Sequence, residues 1–600
     1  MAKKINGKEY EAWSKDELIK EIVKIKSTTY GLVWHRDLPE EKIDILINPD
    51  ARTPNEMFPN EMAGKPFPVL KEVKGKAIES DKSKLVNLLI EGDNYHSLAV
   101  LNFTHHEAVD LIYIDPPYNT GNNDFVYNDK FIDAEDPFRH SKWLSFMEKR
   151  LKLARNLLKR DGVIFISIND IEQAPLKMLC DEIFGERNFI SNISRLMKSG
   201  GNKGRFFSPN IEYILVYAKD VDFLDDFRLP LEEDYQQKIY SRIEIDGDKK
   251  GQRFREMGLY QAGLDIRPNQ RYWIKCPDGT FVIPPGKNNP KKIIEGEKII
   301  PSLNDGVWRW IHGRYLEEYK KGNIIFKKTK TSSLMNENGE KSNWNIYTKI
   351  WLDDRIESGR VPINYINQYE NRQSSQEMKD LDINFQFAKP VGLIKYLITL
   401  TNKNGDITVL DFMAGSGTTG HAVLELNKKD NKKRNFILCT NNGDEKSEHK
   451  IASEICYPRV KKIISGYKNE KGEKIKGLGG NLKYYVTDFV EAEPTDKNKR
   501  KLVKESTDML CILENAFELV QETPEFNIFK NTDKYVGVIF YEEAIEDYKK
   551  AIKKIGGHFN TYVFSMGDDP HTKKFADVKG KVTLCAIPEV ILKVYREIFK

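Results

Sequence analysis

The feature that most constrains this 600-residue chain is an alternation that stops and later resumes. From residue 85, short apolar runs alternate with helix-sized stretches. A strand is expected over 86–90, a helix through 101, a strand over 110–114, a helical repeat over 143–158 and a strand over 162–168. Two further strands, 189–197 and 211–218, flank a glycine-rich stretch at 199–204, which suits a flap. From about 220 to 384 the pattern is lost in polar, aromatic, turn-rich sequence. It returns as a helix over 390–401, a strand over 407–410, a helix over 418–426 and a strand over 435–439. Helix-length connections between apolar strands imply a parallel sheet covered on both faces. The expected fold class is α/β, with one doubly wound, mostly parallel sheet interrupted by an inserted module. The expected divisions are an N-terminal extension (1–80, with a helical stretch at 14–25), a first sheet half (81–219), the insert (220–384), a second sheet half (385–470) and a C-terminal accessory domain (471–600), the last reached through a Lys-rich link at 468–476.

Charged residues make up 31% and hydrophobic ones 40%, which places the chain among globular proteins rather than disordered ones. The start lacks an apolar secretory core, and no uncharged run is long enough to span a bilayer, so a cytoplasmic protein without membrane contact is expected. Its six cysteines are scattered, without Cys-x-x-Cys, which argues against a metal site and against a disulfide framework. None sits in a Pro-Cys loop, which counts against a covalent thiolate mechanism. Net charge is only +5, so any nucleic-acid partner must be argued locally.

Two strand ends carry the chemistry. Asp411 closes one apolar run and opens Asp411-Phe412-Met413-Ala414-Gly415-Ser416-Gly417-Thr418-Thr419-Gly420. Gly415 and Gly417 allow a tight turn and close approach to a ligand. Thr418 and Thr419 start a helix whose positive end suits a carboxylate, and Asp411 is placed to accept from an ammonium group. A Walker loop would need Lys after the last glycine, but His421 stands there. The loop also matches the dinucleotide pattern Gly-x-Gly-x-x-Gly. What separates S-adenosylmethionine from a dinucleotide is the partner segment Asp115-Pro116-Pro117-Tyr118, which closes the run 111–114. The exocyclic nitrogen of a nucleobase is a poor nucleophile because its lone pair is delocalised into the ring. A carboxylate (Asp115) and a carbonyl fixed between two prolines (Pro116, Pro117) can accept its hydrogens and free that lone pair, while Tyr118 offers a stacking ring for an extruded base. Direct methyl transfer from the sulfonium then needs no metal.

Segment by segment, the chain resembles the beta-class amino-methyltransferases, and more closely the Mod subunits of type III restriction–modification systems. The segments that carry the likeness are 115–121, 165–170, 212–219, 387–390 and 410–420, with Cys276-Pro277-Asp278-Gly279-Thr280 and Trp308-Arg309-Trp310 inside the insert. The resemblance implies a circularly ordered, Rossmann-like methyltransferase domain whose insert recognises the target. It implies that Phe387, Lys389 and Pro390 line the cofactor pocket and that Asp93 meets the cofactor's adenine amino group. Asp93 equally suits a helix N-cap. The family also implies N6-methyladenine as product, double-stranded DNA as substrate, a homodimer and a separate Res helicase-nuclease subunit. Related enzymes often bind the ribose with an acid after the last strand; here Asn441-Asn442-Gly443 precede Asp444. An initial Asp in the tetrapeptide leans toward adenine; cytosine-N4 methylation and a silent DNA-recognition subunit are the alternatives.

Within 267–330, basic residues number 14 against 6 acids. Arg271 and Trp273, Trp308 and Arg309, and Lys327 and Lys328 interleave cations with aromatics, a pattern that suits phosphate and base-edge contact. The same tryptophans would serve as core and the lysines as a solvated face.

Overall fold

The computed structural model describes residues 66–600, apart from 82–83, 122–125, 128–129, 132–134, 201–204, 232, 402, 404–405, 444–449, 492, 532–533, 566–570 and 600, and only a few positions before 66. Most of the expected helix at 14–25, the glycine-rich residues 201–204 and Asp444 therefore lie outside the described residues.

Two compact units emerge, residues 1–226 with 363–600, and residues 227–362. The larger is built on a ten-stranded sheet. Its strands are β1 (Phe67–Glu72), β2 (Val86–Glu91), β3 (Val109–Ile114), β4 (Leu158–Ile168), β5 (Phe189–Leu196), β6 (Ile211–Ala218), β7 (Tyr365–Ile366), β8 (Ile407–Asp411), β9 (Arg434–Thr440) and β10 (Asn481–Val490). They lie in the order β1-β10-β2-β9-β8-β3-β4-β6-β5-β7. The six strands from β10 to β4 run parallel. Helices α1 (Asn94–Thr104), α2 (Arg139–Leu157), α3 (Gln173–Phe184), α4 (Val391–Leu400), α5 (Thr418–Asp430) and α6 (Tyr457–Ser465) belong to the same unit. Every residue of β3 is buried, as a parallel strand covered on both faces must be. Burying each of its large apolar side chains contributes about 1.5–3 kcal/mol. On α2, Trp143, Met147, Leu151, Ala154 and Leu157 repeat at three- and four-residue steps, and all are buried.

β8 joins β3 directly, with Val409 opposite Leu111 and Leu410 opposite Ile112. The two chemistry-bearing strand ends, Asp115 and Asp411, 296 residues apart in sequence, are thus neighbours at the carboxyl edge of one sheet. Crevices at such edges are where open α/β sheets bind ligands.

Two regions differ from expectation. β1 and β10 come from the supposed extension and the supposed accessory region, yet they pair with each other and extend the main sheet through β2. The Lys-rich link at 468–476 is itself structured, as a hairpin with strands Gly466–Lys468 and Lys474–Lys476. Beyond it, five strands between 518 and 585 form a separate sheet.

The smaller unit has a four-stranded antiparallel sheet of Ile324–Lys328, Trp344–Trp351, Arg253–Gly258 and Arg242–Ile243. Its aromatic core contains Tyr272, Trp308, Tyr315 and Trp344. No helix among the described residues is long and apolar enough to cross a membrane.

Candidate active site

Beyond β3 the chain turns sharply through Asp115-Pro116-Pro117-Tyr118 into Asn119, which adopts φ +55°. Two contacts fix this turn from beneath. Trp143 Nε1 donates to the Pro117 carbonyl at 2.7 Å. Asn119, fully buried, donates to Glu172 Oε1 at 2.6 Å, and His140 Nδ1 meets the same oxygen at 2.6 Å. The Asp115 side chain is left partly open, 24% exposed.

The Asp115 carboxylate meets Lys389, whose Nζ lies 2.7 and 2.8 Å from its two oxygens. Lys389 also donates to Tyr118 Oη at 2.9 Å. That hydroxyl has one hydrogen and two carboxylates in reach, Asp115 at 3.0 Å and Glu212 at 3.1 Å. Glu212 is 1% exposed and bonded to Arg195, itself fully buried. Burial raises the Asp115 pKa, Lys389 partly offsets this, and Glu212 adds to it, so the net direction is upward. Burial also pushes Glu212 upward, but the Lys389 and Arg195 cations outweigh it and hold this carboxyl below its ordinary value.

The glycine loop is built differently. Asp411 ends β8 with its Oδ1 accepting from Met413 N at 3.1 Å and its Oδ2 from Thr419 Oγ1 at 2.5 Å. Desolvation pushes its pKa up to about 7, with Asp115 contributing and Thr419 opposing. Gly415 and Gly417 adopt φ +50° and +78°, and a Cβ on Gly417 would stand 2.9 Å from Cys456 Sγ. Gly417 also caps α5 and brings no side-chain acceptor. The first-turn N–H groups therefore lack the side-chain partner a Ser or Asp cap would provide.

The remaining expected cofactor residues divide. Phe387 is 79% exposed, and Pro390 is the N-cap of α4. Lys389 does not extend the glycine loop; its ammonium lies on Asp115. The hydroxyls of Thr418 and Thr419 are turned inward, Thr419 to Asp411 and Thr418 to Arg459 Nη1 at 2.8 Å. Only their backbone N–H groups remain suited to a carboxylate. Asp93 caps α1 by accepting from Tyr95 N at 2.7 Å and pairs with buried Arg150 at 3.3 Å, so the N-cap alternative is realised. Asn442 donates to Glu91 Oε1 at 2.5 Å.

In the smaller unit, three expected DNA contacts are corrected. Arg271 is fully buried, and its guanidinium holds the carbonyls of Pro284, Gly306 and Asn288 at 2.9, 2.7 and 2.6 Å. Trp308 and Trp273 are buried too, the former donating to the Tyr272 carbonyl at 2.8 Å. These side chains staple the 284–306 loop and fill the core, because a buried guanidinium needs acceptors and wide rings need cover. Arg309 is half-buried and bonded to Gln261, Lys327 is ion-paired to Glu256, and Lys328 is exposed over the Trp344 ring at 5.5 Å.

Sequence reasoning missed the pair beneath Asp115. Arg195 and Glu212 face each other in the β5–β6 ladder, each at a buried strand position. A charged residue recurring where alternation demands an apolar one was the available signal.

Residues 109–455, more than half of the chain, match the family model described as DNA methylase, N6_N4_Mtase. The chain is 34% identical over 486 residues to the type III restriction-modification enzyme EcoPI Mod subunit of Escherichia phage P1, covering 72% of this chain and 71% of that one. The chain belongs to the type III Mod branch of this DNA methylase family. The StyLTI Mod subunit of Salmonella typhimurium is 33% identical over 413 residues, 63% of this chain and 57% of its own length. The type II methyltransferase M.KpnI of Klebsiella pneumoniae is 29% identical over 400 residues, 64% of this chain and 89% of that one. The matched region begins at the start of β3, 109–114, and ends beyond β9, so it spans both strand ends of this DNA methyltransferase.

Proposed function

We propose that this Mod-type chain transfers a methyl group from S-adenosylmethionine to the N6 amino group of an adenine extruded from double-stranded DNA. The observation that carries the reading is the pairing of β3 with β8, which sets the Asp115 and Asp411 strand ends side by side. The glycine loop fits the cofactor on two grounds: a helix start without a side-chain cap, suited to a carboxylate, and a strand-end acid, Asp411, suited to an ammonium. Bound there, S-adenosylmethionine would supply an electrophilic methyl on its sulfonium. Asp115 and the Pro116 carbonyl would accept the two amine hydrogens of the base, the Pro117 carbonyl being already held by Trp143. Tyr118 would stack on the extruded base. Asp115, with its raised pKa, is also the acceptor for the proton the methylated amine must shed. The smaller unit is assigned to DNA recognition, with Lys328 and Arg309 as contacts, and a Res-type helicase-nuclease and a second copy of this chain as partners.

Modified-base sequencing of DNA from cells expressing the chain, beside an Asp115→Ala version, tests the reading. N6-methyladenine in one sequence context, present only with the wild type, is expected. N4-methylcytosine would move the assignment to the other amino-bearing base, and identical marks in both samples would overturn the mechanism.

A further inference from the structure

Amine activation as described uses Asp115 and leaves Glu212 without a task. Yet Glu212 is a carboxylate buried beside the reacting group, and burying a charge is costly unless it is paired. One side of it is closed by Arg195, which is itself anchored by the Tyr369 carbonyl at 2.6 Å and Asn371 Oδ1 at 2.7 Å. The other oxygen, Oε2, accepts from Tyr118 and faces Lys389 Nζ at 3.7 Å. Lys389 lies instead on Asp115, touching both oxygens at 2.7 and 2.8 Å. Two carboxylates thus flank one ammonium, with the Tyr118 hydroxyl between them.

This arrangement conflicts with catalysis. An ammonium seated on both Asp115 oxygens, with the Tyr118 hydroxyl in reach of one of them, crowds the positions from which the carboxylate would accept an amine hydrogen, and it weakens the acceptor toward a neutral donor. Lys389 is only 11% exposed, so it cannot simply swing into water without losing its packing. It can leave Asp115 only if another anion receives it.

We propose that Lys389 holds the place of the substrate amine on Asp115 until a base enters, and that Glu212 is the positioning residue that then receives the ammonium. Arg195 fixes Glu212 for this purpose, and a small displacement of Nζ across Tyr118 exchanges one ion pair for the other. Net charge in the pocket stays constant as the neutral amine replaces the cation. The displacing ligand is a nucleobase bearing an exocyclic amino group; a base without one has no means of replacing Lys389. This rests on the amine-activation reading above.

The test compares the affinity of the full chain for duplexes carrying either adenine or purine, which lacks the amino group, at the methylated position found by sequencing. S-adenosylhomocysteine is present throughout. The ratio of the two dissociation constants reads capture of the amine, and a wild-type ratio of about tenfold is expected from a hydrogen bond to a charged acceptor. Glu212→Gln should bring the ratio close to one, because Lys389 then has nowhere to go. Lys389→Met should give at least the wild-type ratio, and the Lys389→Met/Glu212→Gln double variant should match Lys389→Met. A merely structural role for Glu212 would leave the double variant as poor as Glu212→Gln, which overturns the inference. So does a wild-type ratio in Glu212→Gln, or a ratio near one in Lys389→Met. If Glu212→Gln loses its cooperative melting, the Lys389→Met ratio alone decides: equal to or above wild type supports the exchange, below it overturns it. Failure of the wild type to methylate any amino-bearing base sinks the functional reading instead, and is seen beforehand in the sequencing.

Discussion

Two aspartates end neighbouring strands of the same sheet, and both are pushed by burial toward holding a proton, yet they are built for different work. Asp411 is gripped by its own loop: the Met413 N–H and the Thr419 hydroxyl are parts of the turn and helix that follow it. Asp115 is met by the Tyr118 hydroxyl of its own turn and by Lys389 from a distant segment, whose long flexible side chain can be displaced. A carboxylate held by its own backbone keeps its geometry when a ligand arrives. One paired with a flexible lysine from a distant segment can change partners. The first suits a site that binds the same group at every turnover, the second a site that must give way to a base and recover.

The largest way to break the comparison is Asp115→Asn, which keeps the shape but loses the anionic acceptor. The methylation rate should fall by on the order of 10²–10³, as when one group aligned with a developing charge is removed. Cofactor affinity, measured by calorimetry, should stay within about threefold, because the loop at Asp411 does not depend on Lys389 or Tyr118. Equal loss of cofactor binding and rate would show that the two strand ends act as one site and that the distinction drawn here is false.

Much of this division was legible in the sequence, and what was not has a physical reason. The apolar runs ending at Ile114 and Leu410 mark both strands because a parallel strand covered on both faces buries nearly every position, and most of those positions are apolar. Glycines at 415 and 417 announce the turn because a Cβ there meets positive φ or the Cys456 sulfur. Glu212 and Arg195 were hidden because their role depends on which strands become neighbours, and nothing local dictates that β6 runs antiparallel beside β4. Lys389 was expected near the cofactor; its reach carries its charge to the other strand end. Arg271 misled for a related reason: sequence shows a cation among aromatics but not whether carbonyls or solvent will satisfy it, and here four backbone carbonyls and the Asn289 side chain do. β1 and β10 were missed because they come from remote segments and lack the helix-separated rhythm of the central strands.

A second prediction sharpens the contrast through pH. Asp411 must be ionised to hold an ammonium, but in the free protein its pKa stands at about 7. Below that value the ligand must first displace a proton. Apparent cofactor affinity should therefore rise up to about tenfold per pH unit on approaching pH 7 from below and level off above it. Binding at pH 6 should release close to one proton, which calorimetry in buffers of different ionisation enthalpy measures. Asp115 is also raised, and as the amine acceptor it too must be ionised, so the single-turnover rate should fall as pH drops even when cofactor is saturating. Affinity without a pH midpoint would mean that Asp411 is already ionised and less desolvated than its surroundings imply.

The smallest expected effect separates the two aspartates most cleanly. Thr419 lowers the Asp411 pKa by donating to its charged form, and it has no bond to Asp115. Thr419→Val removes the donor while keeping the branched shape that α5 buries. The midpoint of the affinity profile should move to higher pH by about half a unit, which weakens cofactor binding about threefold well below pH 7, about twofold at pH 7 and scarcely at pH 9. The dependence of the saturated rate on pH should not move, because Asp115 keeps every partner it had. A shift of both profiles together would place Thr419 in a network spanning the two strand ends, and the fixed carboxylate would then be no more independent than the exchangeable one.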